Sequence, residues 1–267
     1  MPVPGASLMI FLICPKRLNW PLLKVPKHNA GPKKPDLKIG VDAKGDGFLI
    51  TLNGQPAKTP GGRGIALPNR ALADAIAGEL IDDPARLTGK GLNDPGVAPN
   101  FRLATGAIDV VEGKEAGRSG IVTDLIGYCE TDLVLFRAEN TPDLKAREDA
   151  LWNPIGDWFK SRHGVALRVT TGVLAVPQDS AVHTAVSNTI EALTPMRLVA
   201  LSAATHTAGS IMIGLALLDG AIDADQAYSA ACLEERYQAD KWGEDAEATV
   251  MREGKRLDLV QTAAFLE

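Results

Sequence analysis

The sequence predicts an α+β fold, with a small antiparallel sheet and helices in an N-terminal domain and only helices in a C-terminal domain. Two patterns predict it. Between residues 37 and 52 apolar and polar residues alternate, which is typical of strands with one buried face. After residue 143 apolar residues recur every three or four positions, which is typical of amphipathic helices. We therefore divide the chain into a basic Pro/Lys-rich extension over residues 1–35, an α+β domain over residues 36–142 and a mainly α-helical domain over residues 143–267.

The sheet is predicted from two alternating segments, each followed by a turn. The first turn is Lys44–Gly47, and the second contains Asn53-Gly54, a dipeptide that favours tight hairpins. Further along, the apolar run Leu133–Phe136 predicts a short buried strand, and the β-branched stretch Val165–Val176 predicts an extended segment able to return to the sheet. The alternating residues are Leu37, Ile39, Val41, Phe48, Ile50 and Leu52.

Helices are predicted where apolar residues recur at helical spacing after a residue that can cap the helix. Asn69 precedes one such stripe. Asp223, with Gln226 three residues later, has the spacing of a capping box, so a helix should run from there to about Trp242 and end at Gly243. The stripe after Asn69 is Leu72, Ile76 and Leu80. Further stripes are Phe101, Ala104, Ile108 and Val111, and then Val182, Ala185, Val186, Thr189, Ile190 and Leu193.

The most apolar stretch of the chain is long enough to cross a membrane. Between Arg197 and Asp219 lie 21 residues without a formal charge, and about 20 apolar residues span a bilayer. Ser202, Thr205 and His206 lie inside this stretch, however, and polar side chains are costly in hydrocarbon. We therefore predict one helix buried in a protein core rather than a membrane span.

Composition and charge exclude several classes of protein. Hydrophobic residues make up 45% and charged residues 23%, with a net charge of −5, so neither a disordered chain nor a nucleic-acid-binding protein is indicated. Residues 1–35 contain six Lys and Arg and no acidic residue, which leaves 22 basic and 33 acidic side chains in the rest of the chain. Cys14, Cys129 and Cys232 are odd in number and far apart, which favours a reducing compartment and buried thiols.

The N-terminus lacks the signature of a secretory signal. Ser7–Cys14 is apolar, but no basic residue precedes it and no cleavage site of small residues follows it. The extension favours Lys and Pro, whereas transit peptides favour Arg and Ser. We therefore expect a bacterial cytoplasmic protein, or a protein of the mitochondrial matrix if the host is eukaryotic.

The sequence contains no catalytic, cofactor-binding or metal-binding motif. There is no P-loop, dinucleotide fingerprint, Gly-x-Ser-x-Gly, His-Glu-x-x-His or Cys-x-x-Cys. His206 is the one histidine inside an apolar helix, so an enzyme that uses His206 and nearby carboxylates is an alternative. A neutral histidine bonded to a neighbouring hydroxyl or carbonyl explains the same residue. We predict no enzyme, no cofactor and no metal.

The densest polar segment is residues 233–245. On a helix, side chains three and four positions apart are neighbours. This segment can be a solvated helix with an internal Glu–Gln–Lys ladder and a tryptophan anchored in the core. The alternative is a recognition surface, because an aromatic anchor rimmed by carboxylates is typical of protein interfaces. The residues that we assign to partner binding in the second interpretation are Glu234, Glu235, Gln238, Trp242 and Asp245.

Seven stretches of the chain, spread over residues 48–247, form a recognisable series. They are Leu52–Pro60, Leu67–Ala73, Asp132–Ala138, Trp152–Trp158, Val169–Val173, the helix from Gly209-Ser210 to Gly220, and Leu233–Asp245. In these stretches, and in their order, the chain resembles the family of assembly chaperones for the alpha subunit of the F-type ATP synthase, found in mitochondria and alphaproteobacteria. The N-terminal extension and residues 80–102 depart from the family pattern.

The resemblance implies a protein that is not an enzyme. Family members hold the free alpha subunit, without ATP, until the beta subunit replaces them, and so prevent aggregation. The family's functionally important glutamate corresponds to Glu234. The resemblance implies an N-terminal α+β domain and a C-terminal helical domain, no cofactor, no nucleic acid, no stable membrane insertion, and a monomer. A membrane-associated assembly factor that uses the basic extension and the apolar helix remains the second alternative.

Overall fold

The computed structural model describes residues 38–89, 97–114 and 116–266. In these residues short strands precede a series of helices. The strands are β1 (Ile39–Lys44), β2 (Gly47–Leu52), β3 (Gln55–Pro56), β4 (Ala66–Leu67), β5 (Phe136–Arg137) and β6 (Thr170–Thr171). The α-helices are α1 (Arg70–Asp82), α2 (Pro99–Thr105), α3 (Gly117–Gly127), α4 (Pro142–His163), α5 (Ser180–Glu191), α6 (Pro195–Ala208), α7 (Ile211–Leu218), α8 (Ala224–Ala231), α9 (Leu233–Trp242) and α10 (Ala246–Leu266). The predicted α+β class is confirmed.

The N-terminal sheet is antiparallel and is centred on β2. Strands β1 and β2 form a hairpin in which Lys44 faces Gly47, as the turn signal predicts. Asn53 and Gly54 both have positive φ, 52° and 77°, which is the backbone that a tight turn between β2 and β3 requires. Strand β4 pairs with the other edge of β2. Leu37 and the basic extension lie outside the described residues.

Helix α1 covers this sheet with the predicted apolar stripe. The side chain of Asn69 accepts a hydrogen bond from the backbone N–H of Leu72 and so caps the helix. Leu72, Ile76 and Leu80 are buried. Helix α2 continues as a π-helical turn over Gly106–Val111, and the four residues of the second predicted stripe are all buried.

The predicted strand at Leu133–Phe136 is wrong. Leu133–Leu135 form a 3-10 turn, because the carboxylate of Asp132 accepts a hydrogen bond from the backbone N–H of Val134 and caps it. Only Phe136–Arg137 are extended, and they pair in parallel with Thr170–Thr171. The extended segment after α4 therefore forms a separate two-stranded sheet and does not return to the N-terminal sheet.

The predicted single helix between Arg197 and Asp219 is also wrong. Gly209 adopts φ 68° and ends α6, and the hydroxyl of Ser210 accepts a hydrogen bond from the backbone N–H of Ile213 and starts α7. All eight residues of α7 are buried in the protein. No helix among the described residues is long and apolar enough to cross a membrane.

The helix predicted from Asp223 to Trp242 is divided in two at Cys232. The capping box of Asp223 and Gln226 is present, and Gly243 ends α9 at φ 95°. Cys232, however, leaves the helical region with φ −106° and ψ 15°. The change of direction lets α8 pack against α7 and α10 while α9 packs against α4.

Two apolar clusters fill the described part of the chain. One lies between the N-terminal sheet, α1 and α2, and the other lies among α3 to α10. Helices α6 and α10 contribute to both, since Ala200 and Phe265 lie in the first cluster and Leu198 and Leu259 in the second. The predicted domain boundary near residue 142 stays a prediction.

Candidate functional site

Helix α9 is attached to α4 by a network of charged groups around one tyrosine. The hydroxyl of Tyr237 donates to Asp143 at 2.8 Å, and Lys241 pairs with the same carboxylate at 2.9 Å. Arg147 pairs with Asp240 at 2.7 Å. The charged groups of Arg147 and Lys241 lie 5.2 and 5.3 Å from the centre of the Tyr237 ring, so the ring also makes cation–π contacts.

This network fixes the ionisation of Asp143. The hydrogen bonds from Lys241 and then from Tyr237 lower the pKa of the Asp143 carboxyl to about 2. The same contacts replace the predicted ladder within the helix, because Lys241 pairs with α4 instead of Gln238. Helix α9 is therefore held against α4 through its buried side, which orients the remaining sides toward solvent.

Glu234 is half-buried in the first turn of α9. Among the described residues it has neither a hydrogen-bond nor an ion-pair partner. Burial raises the pKa of its carboxyl, and the negative charges of Glu148 and then Glu235 raise it further. A carboxylate without a partner in a partly dehydrated position is costly unless a cation reaches it. Glu234 is thus a group that a binding partner can satisfy.

Trp242 does not anchor the end of α9 in the core. Its side chain is 76% exposed, although large aromatic residues are usually mostly buried. Gln238 is exposed too. Glu234, Gln238 and Trp242 follow one another at intervals of four residues and so line one side of α9. The structure therefore brings together three of the five residues that the sequence assigns to partner binding.

The other two residues have structural contacts of their own. Glu235 pairs with Lys255 of α10 at 2.6 Å. The carboxylate of Asp245 accepts a hydrogen bond from the backbone N–H of Ala248 at 2.8 Å and caps the first turn of α10. Glu235 thus joins α9 to α10 and Asp245 caps α10, and the part of both residues in partner binding stays a prediction.

Helix α10 exposes four large apolar side chains that the sequence interpretation missed. Val250, Met251, Leu257 and Val260 are all exposed large hydrophobic residues. Val250 and Leu257 lie on the same side of α10, since they are two helical turns apart. The signal was present in the seven-residue spacing of Val250 and Leu257. We call Glu234, Gln238 and Trp242 the α9 face.

Two of the matching stretches meet around the buried guanidinium of Arg137. It donates to Asp149 at 2.8 Å and to Asn153 at 2.9 Å, and to the carbonyls of Val134 and Phe136. These contacts join the 132–138 stretch to α4. A shallow cavity of about 280 Å³ lies beside them and is lined in part by Asn153, Leu167 and Val169.

His206 is not a buried acid–base group. Its side chain is exposed, with Nε2 2.8 Å from the carboxylate of Asp124 and Nδ1 2.6 Å from the carbonyl oxygen of Ser202. It therefore links α6 to α3, and the carbonyl contact is the kind of partner expected for an ordinary surface histidine. The only nearby aromatic ring is that of Tyr128, which meets the imidazole edge-on at 5.8 Å among the described residues.

The two described cysteines are buried thiols, as predicted. Burial is the main cause that raises the pKa of Cys129 to about 12 and that of Cys232 to about 11. Both therefore stay protonated at neutral pH. No cluster of His, Cys, Asp and Glu with the arrangement of a metal site occurs within residues 38–89, 97–114 and 116–266. Cys14 lies outside these residues.

Comparison with known proteins identifies the class. The family model described as ATP12 chaperone protein matches residues 36–160. The mitochondrial protein atp12 of Schizosaccharomyces pombe is 27% identical over 208 residues, which cover 74% of this chain and 70% of that protein. The crystal structure of Atp12 from Paracoccus denitrificans is 30% identical with a TM-score of 0.73, and a point mutant of it has a TM-score of 0.75; each alignment covers 85% of this chain and 94% of the other.

Fold and sequence thus define a chaperone, and the comparisons agree with the resemblance seen in the seven stretches. The chain belongs to the ATP12 chaperone family. The α+β class predicted from the sequence is also that of the Paracoccus structures. Glu234, Gln238, Trp242 and the cluster around Arg137 all lie within residues 48–247, the span that resembles the family.

Proposed function

We propose that this protein is an ATP-independent assembly chaperone that binds the unassembled alpha subunit of the F-type ATP synthase. It prevents aggregation of that subunit until the beta subunit replaces it. One observation supports a binding site on α9. In a chain of this chaperone family, the unpaired, half-buried carboxylate of Glu234 and the exposed side chain of Trp242 lie on the same side of this helix.

The exposed surface of an unassembled alpha subunit explains why a chaperone needs a binding face of this kind. An alpha subunit without its neighbour exposes apolar surface that is meant for an interface, and such surface aggregates. Trp242, Val250 and Leu257 offer exposed apolar area to cover it, and Glu234 offers a charge for a cation at its edge. Because these contacts form a modest interface, the beta subunit can displace the chaperone by its larger buried area and by mass action.

We further propose that the protein catalyses no reaction and binds no nucleic acid. The exposure of His206 and its contacts with Asp124 and Ser202 support this, since they remove the feature on which the enzyme alternative depended. The burial of α7 weakens the membrane-associated alternative in the same way. A monomer that acts in the bacterial cytoplasm, or in the mitochondrial matrix of a eukaryote, fits the proposal.

The proposal is tested by direct binding. Purified protein and alpha subunit are mixed without ATP, and complex formation is followed by gel filtration and calorimetry. The proposal requires a complex that added beta subunit dissolves. The variant Glu234→Ala should bind at least tenfold more weakly with an unchanged melting temperature, because removing one member of a desolvated charge pair typically costs about 2–5 kcal/mol.

The matched control is Glu112→Ala, since Glu112 is an exposed glutamate far from α9 in the chain. It should bind as the unchanged protein does. Absence of a complex between the unchanged protein and alpha subunit would contradict the proposal. A large fall in the melting temperature of Glu234→Ala, with binding retained at low temperature, would instead assign Glu234 a structural role.

A further inference from the structure

Helix α4 contains a buried carboxylate with one oxygen left without a partner. The side chain of Glu148 is 1% exposed. Its Oε2 accepts a hydrogen bond from the backbone N–H of Ala138 at 2.7 Å, whereas its Oε1 is buried and has no hydrogen-bond partner among the described residues. Buried polar atoms are nearly always paired, so this oxygen requires an explanation.

The nearby cations are already engaged elsewhere. Asp149 takes an ion pair from Arg137 at 2.8 Å and a second from Lys145 at 2.9 Å. The remaining guanidinium nitrogens of Arg137 donate to Asn153 and to backbone carbonyls. No cation of the described chain is therefore bonded to Glu148.

The register of α4 and α9 places Glu148 beside Glu234. At one end of the helix pair, Asp143 bonds to Lys241. At the other end, the indole N–H of Trp152 donates to the carbonyl of Ala230 at 3.0 Å, two residues before α9 begins. The helices are thus antiparallel, and Glu148, midway between 143 and 152, lies level with the first turn of α9. The charge of Glu148 accordingly raises the pKa of Glu234.

We propose that Glu148 and Glu234 form one acidic site that binds a single cationic side chain, an arginine guanidinium or a lysine ammonium, of the client. The inference rests on the proposed function and adds to it a second residue and the chemistry of the contact. Glu234 forms the accessible edge of the site and Glu148 its buried floor. A guanidinium suits the pair best, because its donors form a planar fork that can bond to two carboxylates.

The energetics favour a cation over an empty site. The carboxylates of Glu148 and Glu234 repel each other, and each loses hydration where it is buried. An incoming cation removes both penalties at once. The site therefore binds a client with a positive charge beside an apolar patch more tightly than a client that presents only apolar surface.

The test compares binding by four full-length variants with that by the unchanged protein. In Glu148→Gln the amide oxygen can still accept the hydrogen bond from Ala138, so the fold should persist. Glu148→Gln and Glu234→Gln should each weaken binding of the alpha subunit at least tenfold. The double variant should bind about as weakly as the weaker single variant, because both residues contact the same cation. Glu112→Gln should bind normally.

A measurement on the free protein is independent of the client. The titration midpoint of Glu234, followed by carboxyl carbon NMR, should fall in Glu148→Gln, since a neighbouring negative charge has been removed. A further variant, Glu234→Arg, supplies the guanidinium from the chain itself and should raise the melting temperature while abolishing binding. The Glu234→Arg variant tests the acidic site even if Glu148→Gln does not fold.

The outcomes separate the two proposals. If the unchanged protein does not bind the alpha subunit, the proposed function is wrong. The alpha subunit is then not the client of this site either. Binding by the unchanged protein that Glu148→Gln leaves intact overturns only the acidic site. Effects that multiply independently in the double variant, or an unchanged Glu234 midpoint, also overturn the acidic site.

Discussion

The hydroxyl of Ser210 lies 2.6 Å from the carboxylate of Asp132, inside the core and 78 residues away along the chain. The second carboxylate oxygen accepts a hydrogen bond from the backbone N–H of Met212 at 3.1 Å. Asp132 thus caps the 3-10 turn before β5 and also bonds to the first turn of α7. The Asp132 side chain therefore connects two of the seven matching stretches, residues 132–138 and residues 209–220. Both stretches are needed to form this buried contact.

Asp132 should make stability depend on pH. Burial raises its pKa from 3.8 to about 6, even though hydrogen bonds from Ser210 and from backbone N–H groups lower it. The folded protein therefore holds the proton more tightly than the unfolded chain does. This contribution to the free energy of unfolding is complete below about pH 4 and is lost as pH rises to about 6, a change of about 3 kcal/mol.

The measurement for Asp132 is urea unfolding of the unchanged protein and of Asp132→Asn across this pH range. The difference in free energy of unfolding between the two should decline from pH 4 to pH 6 and then level off. Parallel curves for the two proteins would show that Asp132 keeps an ordinary pKa.

Arg137 should be a major contributor to stability. Its buried guanidinium satisfies Asp149, Asn153 and two backbone carbonyls. Arg137→Ala leaves these acceptors without donors and should lower the free energy of unfolding by about 3–5 kcal/mol. Arg70→Ala is the control, since Arg70 makes only an exposed ion pair with Asp74, worth less than about 1 kcal/mol. Equal effects in urea unfolding would refute this assignment.

Two glycines should respond in opposite directions to alanine. Gly209 ends α6 with φ 68°, where an added Cβ meets nothing within 4 Å but the left-handed backbone costs about 1–2 kcal/mol. Gly78 lies inside α1 with open space around it, so Gly78→Ala should stabilise by about 0.5–1 kcal/mol. Thermal unfolding should show a lower melting temperature for Gly209→Ala and a higher one for Gly78→Ala; the reverse order would contradict the helix boundaries.

Trp242 should matter for binding and not for stability. Because its side chain is 76% exposed, Trp242→Ala should change the free energy of unfolding by less than about 0.5 kcal/mol. An aromatic anchor at an interface contributes about 2 kcal/mol or more, so affinity for alpha subunit should fall at least tenfold by calorimetry. Trp158→Ala offers a contrast, since Trp158 is half-buried and bonds to Asp219. Unchanged affinity in Trp242→Ala would show that Trp242 takes no part in binding.

Features that depend on near neighbours in the chain could be predicted from the sequence. The turn at Asn53-Gly54, the cap at Asn69 and the capping box of Asp223 and Gln226 each need only a few adjacent residues. The apolar stripe of α1 likewise depends only on residues within one helix. Each of these predictions is confirmed.

Features that depend on packing between distant segments could not be predicted. No glycine or proline marks the break at Cys232, which lets α8 pack against α6, α7 and α10 in addition to α4, the helix that α8 and α9 both contact. Lys241 contacts Asp143, nearly 100 residues away, in place of a neighbour on its own helix. The unpaired oxygen of Glu148 has no sequence signature at all, because only the assembled helices determine which cations reach it.

The most direct measurement of the central claim is light scattering by purified alpha subunit of the F-type ATP synthase as it aggregates, with and without equimolar protein. An unrelated acidic protein of similar charge serves as the control. The proposed function predicts selective suppression of scattering without ATP, relieved by added beta subunit and lost in Glu234→Ala. Scattering that continues unchanged in the presence of the protein would contradict it.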